Sequence, residues 1–327
     1  MSQLLFSRKR WLRGTDDIIG GMTQLLHVIA TLAISALSLP DALPAQDAAE
    51  RLKAANRLEF NDGKRSEAAA IYREVLAQNP AAFEAHLGLG RILIVDGRIA
   101  EGRQHLDKAL ATASEGERNS ALSTLAISYV FEGNGATAAT FYQQVFDSQL
   151  KANAMSPAAN AANALARALL ETGDLDNAEK WYRTGYETAS KIQNVPPAEK
   201  DIWEMRWRHA QGRIAARRKQ FDAAHSHLTA VEGLVAKGTL PDGQQSFAPQ
   251  LAGYVAFYQG RYDDAIAALA RADQQDPFVL VLLAQAHEQK NEMATAKELY
   301  ARVLAQPGFS LQMALARPLA ARRLAGQ

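Results

Sequence analysis

The 327-residue chain contains no cysteine. That excludes disulfides, thiolate catalysis, zinc sites built on cysteine and lipid attachment at a lipobox cysteine. It fits any compartment, so it says nothing of location. Net charge is almost absent too, with 36 Lys and Arg against 35 Asp and Glu. Without residues 1–45 the balance is 32 of each sign, which leaves no electrostatic footprint for general nucleic-acid binding. Strand-like alternation is nowhere sustained, so no sheet is expected.

Catalytic motifs are missing as well. Gly88-Leu89-Gly90 opens like a dinucleotide-binding loop but lacks the third glycine and a preceding strand. No phosphate-binding loop and no nucleophile elbow occurs. His287-Glu288 is followed by Asn291 where a metal-binding pair needs a second histidine. His225 and His227 are two apart, hence about 200° around a helix and unable to share a metal. The chain reads as non-enzymatic, with no cofactor and no metal.

What the sequence does have is a recurring triplet. Gly63–Ala68–Tyr72 returns as Gly97–Gly102–Leu106, Gly133–Ala138–Tyr142, Gly173–Ala178–Tyr182, Lys219–Ala224–Leu228, Gly260–Ala265–Leu269 and Asn291–Ala296–Tyr300. Seven units then start near 49, 83, 119, 159, 205, 246 and 277. A fixed internal period marks stacked repeats. Small residues also recur at position 8 of these units, as at Gly90, Gly212 and Gly253. Two antiparallel helices approach closely only where their crossing carries no large side chain, so positions 8, 15 and 20 are read as that contact. The bulky residue at position 24 fills the next gap. The tyrosines found there are packing residues rather than a cofactor box.

Ser66, Asp176, Asp222 and Asp263, all at position 18, are expected to cap the second helices. Ser156-Pro157 is expected to open the fourth unit. Breaker-rich connections at Gln193–Pro197 and Lys237–Gly243 account for the longest spacings. Residues 309–327 are expected to carry a capping helix, Leu311–Leu324, over the seventh unit, kinked at Pro318.

The N-terminus points to export. Arg8-Lys9-Arg10 and Arg13 precede the apolar run Leu25–Leu39 and then Leu43-Pro44-Ala45, the layout of a secretory signal peptide spanning 1–45. The alternatives are a membrane signal anchor, since Ile18–Leu39 has no formally charged side chain over 22 residues, and a buried first helix of the solenoid. Met22 is an alternative start. The repeats at 46–308 are therefore expected in the periplasm or secreted, with membrane contact only through an uncleaved N-terminal segment.

Leu89-Gly90 and the closing Pro80 and Pro277, together with the repeating triplet, resemble the tetratricopeptide repeat family over residues 48–308. Departures are the missing Trp at position 4 in every unit, Asn56 at position 8 and Lys219 at position 15. The resemblance implies an all-α, right-handed α-solenoid of seven helix-turn-helix units that binds a protein or peptide. It also implies that positions 2, 5, 9 and 12–13 of each first helix line a concave groove.

Carried over, those positions give Asn160, Asn163 and Arg167 in unit four, of which Asn163 and Arg167 are taken as site residues, and Arg206, His209, Arg213 and Arg217 in unit five. Unit six supplies Phe247, Tyr254, Phe257 and Tyr258. Spacings of 3, 4 and 4 place the unit-five residues on one helical stripe. A basic stretch beside an aromatic shelf suits an acidic polypeptide with an apolar anchor. The plainer alternative is a solvated basic face with the aromatics packed against the next unit. The carboxylate clamp of chaperone-binding relatives is not reproduced: Lys53 is followed by Arg57, Gly88, Ser120 and Thr124. A structural envelope-assembly subunit that oligomerises through its repeats is the alternative function, and a hydrolase or its regulator a further one.

Overall fold

A computed structural model describes residues 45–326. These fall within one compact unit, Pro40–Gln327. The described residues form helices joined by turns, with no strand among them. The expected signal segment lies outside them, apart from Ala45. No helix of the described residues is long and apolar enough to cross a membrane.

The helices pair in sequence order. Unit one is α1 (Ala45–Phe60) with α2 (Arg65–Gln78), and unit two is α3 (Phe83–Val95) with α4 (Ile99–Thr112). Unit three is α5 (Glu115–Val130) with α6 (Gly135–Lys151), and unit four is α7 (Met155–Thr172) with α8 (Leu175–Ala189). Unit five is α9 (Pro197–Arg217) with α10 (Phe221–Ala236). Unit six is α11 (Phe247–Tyr258) with α12 (Tyr262–Leu269), and unit seven is α13 (Pro277–Gln289) with α14 (Met293–Ala305). The last helix is α15 (Leu311–Leu324).

Positions 8 and 20 are the helix crossing, as expected. A Cβ on Gly90 would sit 2.9 Å from the Gly102 carbonyl oxygen, and one on Gly102 would sit 2.7 Å from that of Gly90. A Cβ on Gly253 would lie 2.5 Å from Leu269 Cγ. Position 15 has a different cause from the one expected. Gly97, Gly133, Gly173 and Gly260 have nothing within 4 Å of an added Cβ, yet all have positive φ. They are the left-handed residues that end each first helix, where a side chain is disfavoured. Lys219 and Asn291 take the same conformation at φ 59° and 61° without being glycine.

The expected caps shift by two residues. The second helices of units one, four and five begin at Arg65, Leu175 and Phe221, which puts Ser66, Asp176 and Asp222 in the first turn. There the aspartates favour the positive end of the helix dipole instead of capping it. Asp263 lies in the first turn of α12 in the same way. Among the second helices, the side chains that cap are Asn134, accepting from the Thr137 amide, and Asp174, accepting from the Asn177 amide. Ser156 and Pro157 lie inside α7, which starts at Met155. The spacing between units four and five is taken up by helix as well as loop, because α9 already begins at Pro197.

Helix α15 packs on α13 and α14, as a capping helix should, but it also runs against α5 and α7. Met313 and Ala314 are buried among residues of units two to four. Phe309 stacks on Phe131 with centroids 5.5 Å apart. Arg317 donates to the Val95 carbonyl at 3.2 Å and to the Leu304 carbonyl at 2.7 Å. The exit from unit seven also meets unit one: a Cβ on Gly308 would lie 3.3 Å from Phe60, and one on Gly63 would lie 3.7 Å from Pro307 Cβ. Helix α15 continues through Pro318. The solenoid thus coils until its two ends touch.

A test separates crossing glycines from incidental ones. Gly253→Ala is expected to cost about 1–3 kcal/mol through overpacking against Leu269. Gly233→Ala, on an exposed face of α10 with nothing within 4 Å, is expected to gain roughly 0.5–1 kcal/mol. Urea denaturation of both variants gives the comparison.

Candidate functional site

The coil brings the first helices of units four to seven together, and their polar side chains meet each other. Glu171, at the end of α7, is the centre of this contact. It accepts from Arg213 at 3.3 Å, from Arg217 at 3.2 Å and from the Tyr254 hydroxyl at 3.4 Å. Arg213 also donates to the Tyr182 hydroxyl at 2.7 Å. Arg217 lies 5.5 Å from the Tyr258 ring centre, and Tyr254 packs on both Tyr258 and Phe278.

For Arg213 and Arg217 the solvated-face alternative is corrected by this arrangement. Arg213 is 4% exposed and Tyr254 1%, so neither is a solvent-facing side chain. Arg213 and Arg217 share one carboxylate, Glu171, inside the chain, while Arg206 donates to Asn160 instead. Burial works against the charge of Arg213, but Tyr182, Glu171 and Tyr254 outweigh it and raise the pKa. Burial, followed by Glu171, drives the Tyr254 hydroxyl well above its ordinary value, so it stays a neutral donor. Phe257 and Tyr258 are partly buried against the core of units five to seven.

The other five expected residues converge, together with Arg213, on a neighbouring pocket. Asn163 and Arg167 of α7, Arg206, His209 and Arg213 of α9 and Phe247 of α11 line one pocket of about 170 Å³, completed by Asn160 and Tyr182. Arg206 donates to Asn160 Oδ1 at 3.1 Å. Phe247 meets the His209 ring edge-on at 5.2 Å. Arg167 stands 4.8 Å over the Phe278 ring. His209 is 3% exposed, and burial, then Arg213 and Arg167, push its pKa well below the ordinary imidazole value. The imidazole is therefore neutral near pH 7.

Units one and two repeat the theme of internal pairing. Arg91 grips the buried Glu59 with Nε at 2.8 Å and Nη2 at 2.7 Å, and Tyr72 donates to the same carboxylate at 3.0 Å. A larger cavity, about 830 Å³, lies along α1, α2 and the start of α3, where Lys53 and Glu84 supply one charge of each sign. It lacks the one-sided donor set of the smaller pocket.

Sequence reasoning passed over Glu171. It stands at position 13 of unit four, four residues after Arg167, so the rule that selected the groove residues also reaches it. Position 24 marks Tyr182 as a packing residue. It is that, at 5% exposed, and it also receives Arg213.

The chain matches the family model described as tetratricopeptide repeat at residues 54–117, 123–191 and 251–310. Unit five, with its long α9 and its Lys219, lies in the gap. No curated protein matches the chain. Among solved structures, a tetratricopeptide repeat protein from Parabacteroides merdae is 15% identical, with a TM-score of 0.51, covering 84% of this chain and 99% of that one. The apo form of RapI is 9% identical, with a TM-score of 0.57, covering 86% of this chain and 100% of that one. At these identities the likeness is one of fold.

Two outcomes test the site as described. Glu171→Gln leaves buried Arg213 without its counter-charge and is expected to cost about 3–5 kcal/mol, read by urea denaturation. For His209 the folded pKa lies below the unfolded value of about 6.5, so the unfolded chain takes up the proton first. Stability is expected to fall as pH drops from about 7 to 5, with His105 and His227, also lowered by burial first, adding to the slope. The fall should be shallower in His209→Gln.

Proposed function

The chain belongs to the tetratricopeptide repeat family, and from that premise we propose that it is an exported, non-catalytic scaffold. Its partner is another polypeptide, acidic with an apolar anchor, which docks where units four to six present the pocket between α7, α9 and α11. One observation carries this: six of the ten side chains expected to meet a ligand line a single pocket whose rim residue, Asn160, is exposed. Repeat scaffolds act by presenting such side chains from rigid stacked helices. Phe247, partly exposed, supplies an apolar wall for the anchor. Export is supported by the basic residues Arg8 to Arg13 ahead of the apolar run at Leu25–Leu39.

Placing the photo-cross-linker p-benzoylphenylalanine at Asn160, in the source cell, tests this docking. The expected result is a discrete adduct with another protein at Asn160 and none at Lys180, an exposed position on α8. Adducts equal at both positions, or none at Asn160, would contradict it. An adduct of twice the chain's own mass would move the assignment to the assembly role.

A further inference from the structure

We infer that the pocket between α7 and α9 is a receptor for a single carboxylate group on the bound polypeptide. The inference rests on the protein-binding reading above and adds the chemistry of the contact. Its basis is a set of buried polar atoms without partners, three of them arginine N–H donors and the fourth a ring nitrogen of His209. Arg167 Nε and Nη2, Arg213 Nε and His209 Nε2 have no hydrogen-bond partner among the described residues. Buried polar groups are nearly always paired, so four such atoms around one pocket require an explanation.

The pattern of empty donors selects the ligand. Nε and Nη2 of Arg167 lie on one edge of the guanidinium, the fork that meets both oxygens of a carboxylate in parallel. Arg167, Arg206 and Arg213 all line the pocket, and no carboxylate does. The nearby Glu171 is already shared by Arg213, Arg217 and Tyr254. Positive charge is therefore in local excess where the chain as a whole is balanced. The volume, about 170 Å³, takes a carboxylate and the few carbons behind it, well short of the space a nucleotide or drug-sized ligand needs. Phe247 forms the apolar side against which those carbons rest. The empty donor edges are shut off from solvent, so a ligand reaches them only once side chains around the pocket move apart.

The test uses the full chain and a small probe. Arginine Nε–H signals in ¹⁵N NMR, assigned with Arg167→Lys, are followed while 3-phenylpropionate is added. A saturable shift of the Arg167 signal with the carboxylate, and none with 3-phenylpropionamide, is expected. Equal shifts from acid and amide, or no shift at Arg167, would overturn the inference, as would tighter binding by inorganic phosphate.

Arg167→Met provides a second arm. Because two donors of Arg167 are unpaired, the variant is expected to keep or raise its Tm while probe affinity drops at least tenfold. A lowered Tm would show that Arg167 is structural and would refute the assignment. With a partner fragment in hand, amidating its C-terminus and replacing its Asp and Glu by Asn and Gln distinguish a terminal from a side-chain carboxylate. If cross-linking at Asn160 is unchanged in Arg167→Met, the docking reading stands and the carboxylate pocket falls.

Discussion

The two helices of each unit touch backbone to backbone at their smallest residues, and the rest of the molecule depends on that contact. Where Gly90 faces Gly102 there is no room for even one methyl group. The same tightness recurs at Gly253 against Leu269 of its own unit, and at Gly212 against Leu251 of the following unit. Such contacts leave each pair little choice of spacing, so the pairs stack as near-copies and the small rotation per step accumulates. Over seven steps the rotation returns the exit of unit seven to the turn of unit one. The C-terminal helix then lies across the first helices of the early units.

That closure alters what the concave side can do. An open solenoid leaves its inner side chains to solvent and ligands. Here α7, α9 and α11 approach closely enough for one carboxylate, Glu171, to bind two arginines and a tyrosine, with Arg213 and Tyr254 buried and Arg217 partly so. A buried ion cluster of this kind is held by geometry, since each charge left without its partner is strongly destabilising. The cluster consumes half of the basic stripe, Arg213 and Arg217. What is left over, around Arg167 and His209, is the part of the inner face whose donors remain unmatched, and so the part suited to an incoming acceptor.

Much of the fold was legible in the residues. Helix pairing, the unit boundaries near 83 and 277 and the crossing at positions 8 and 20 follow from local periodicity, which a single chain displays directly. Position 15 was legible as a pattern but not as a cause. A glycine needed for left-handed backbone looks the same in sequence as one needed for close packing, and only Lys219 and Asn291, tolerated there by the backbone, betray the difference. The site was legible in its membership but not in its exposure. Helical spacing places Arg213 and Arg217 on one stripe, yet whether that stripe meets water or Glu171 depends on how far the solenoid coils. Small rotations summed over seven units decide that, and no local pattern encodes the sum. The return of α15 to Val95, more than two hundred residues upstream, was hidden for the same reason.

The coil's closure can be measured directly because the native chain has no cysteine to interfere. Gly63→Cys combined with Pro307→Cys places two Cβ atoms about 3.7 Å apart, within the range a disulfide bridges. At low protein concentration, mild oxidation should give a monomer carrying one intramolecular disulfide by mass spectrometry. If the two thiols stay free, or link only between molecules, the ends of the solenoid do not meet and the closed inner face is wrong.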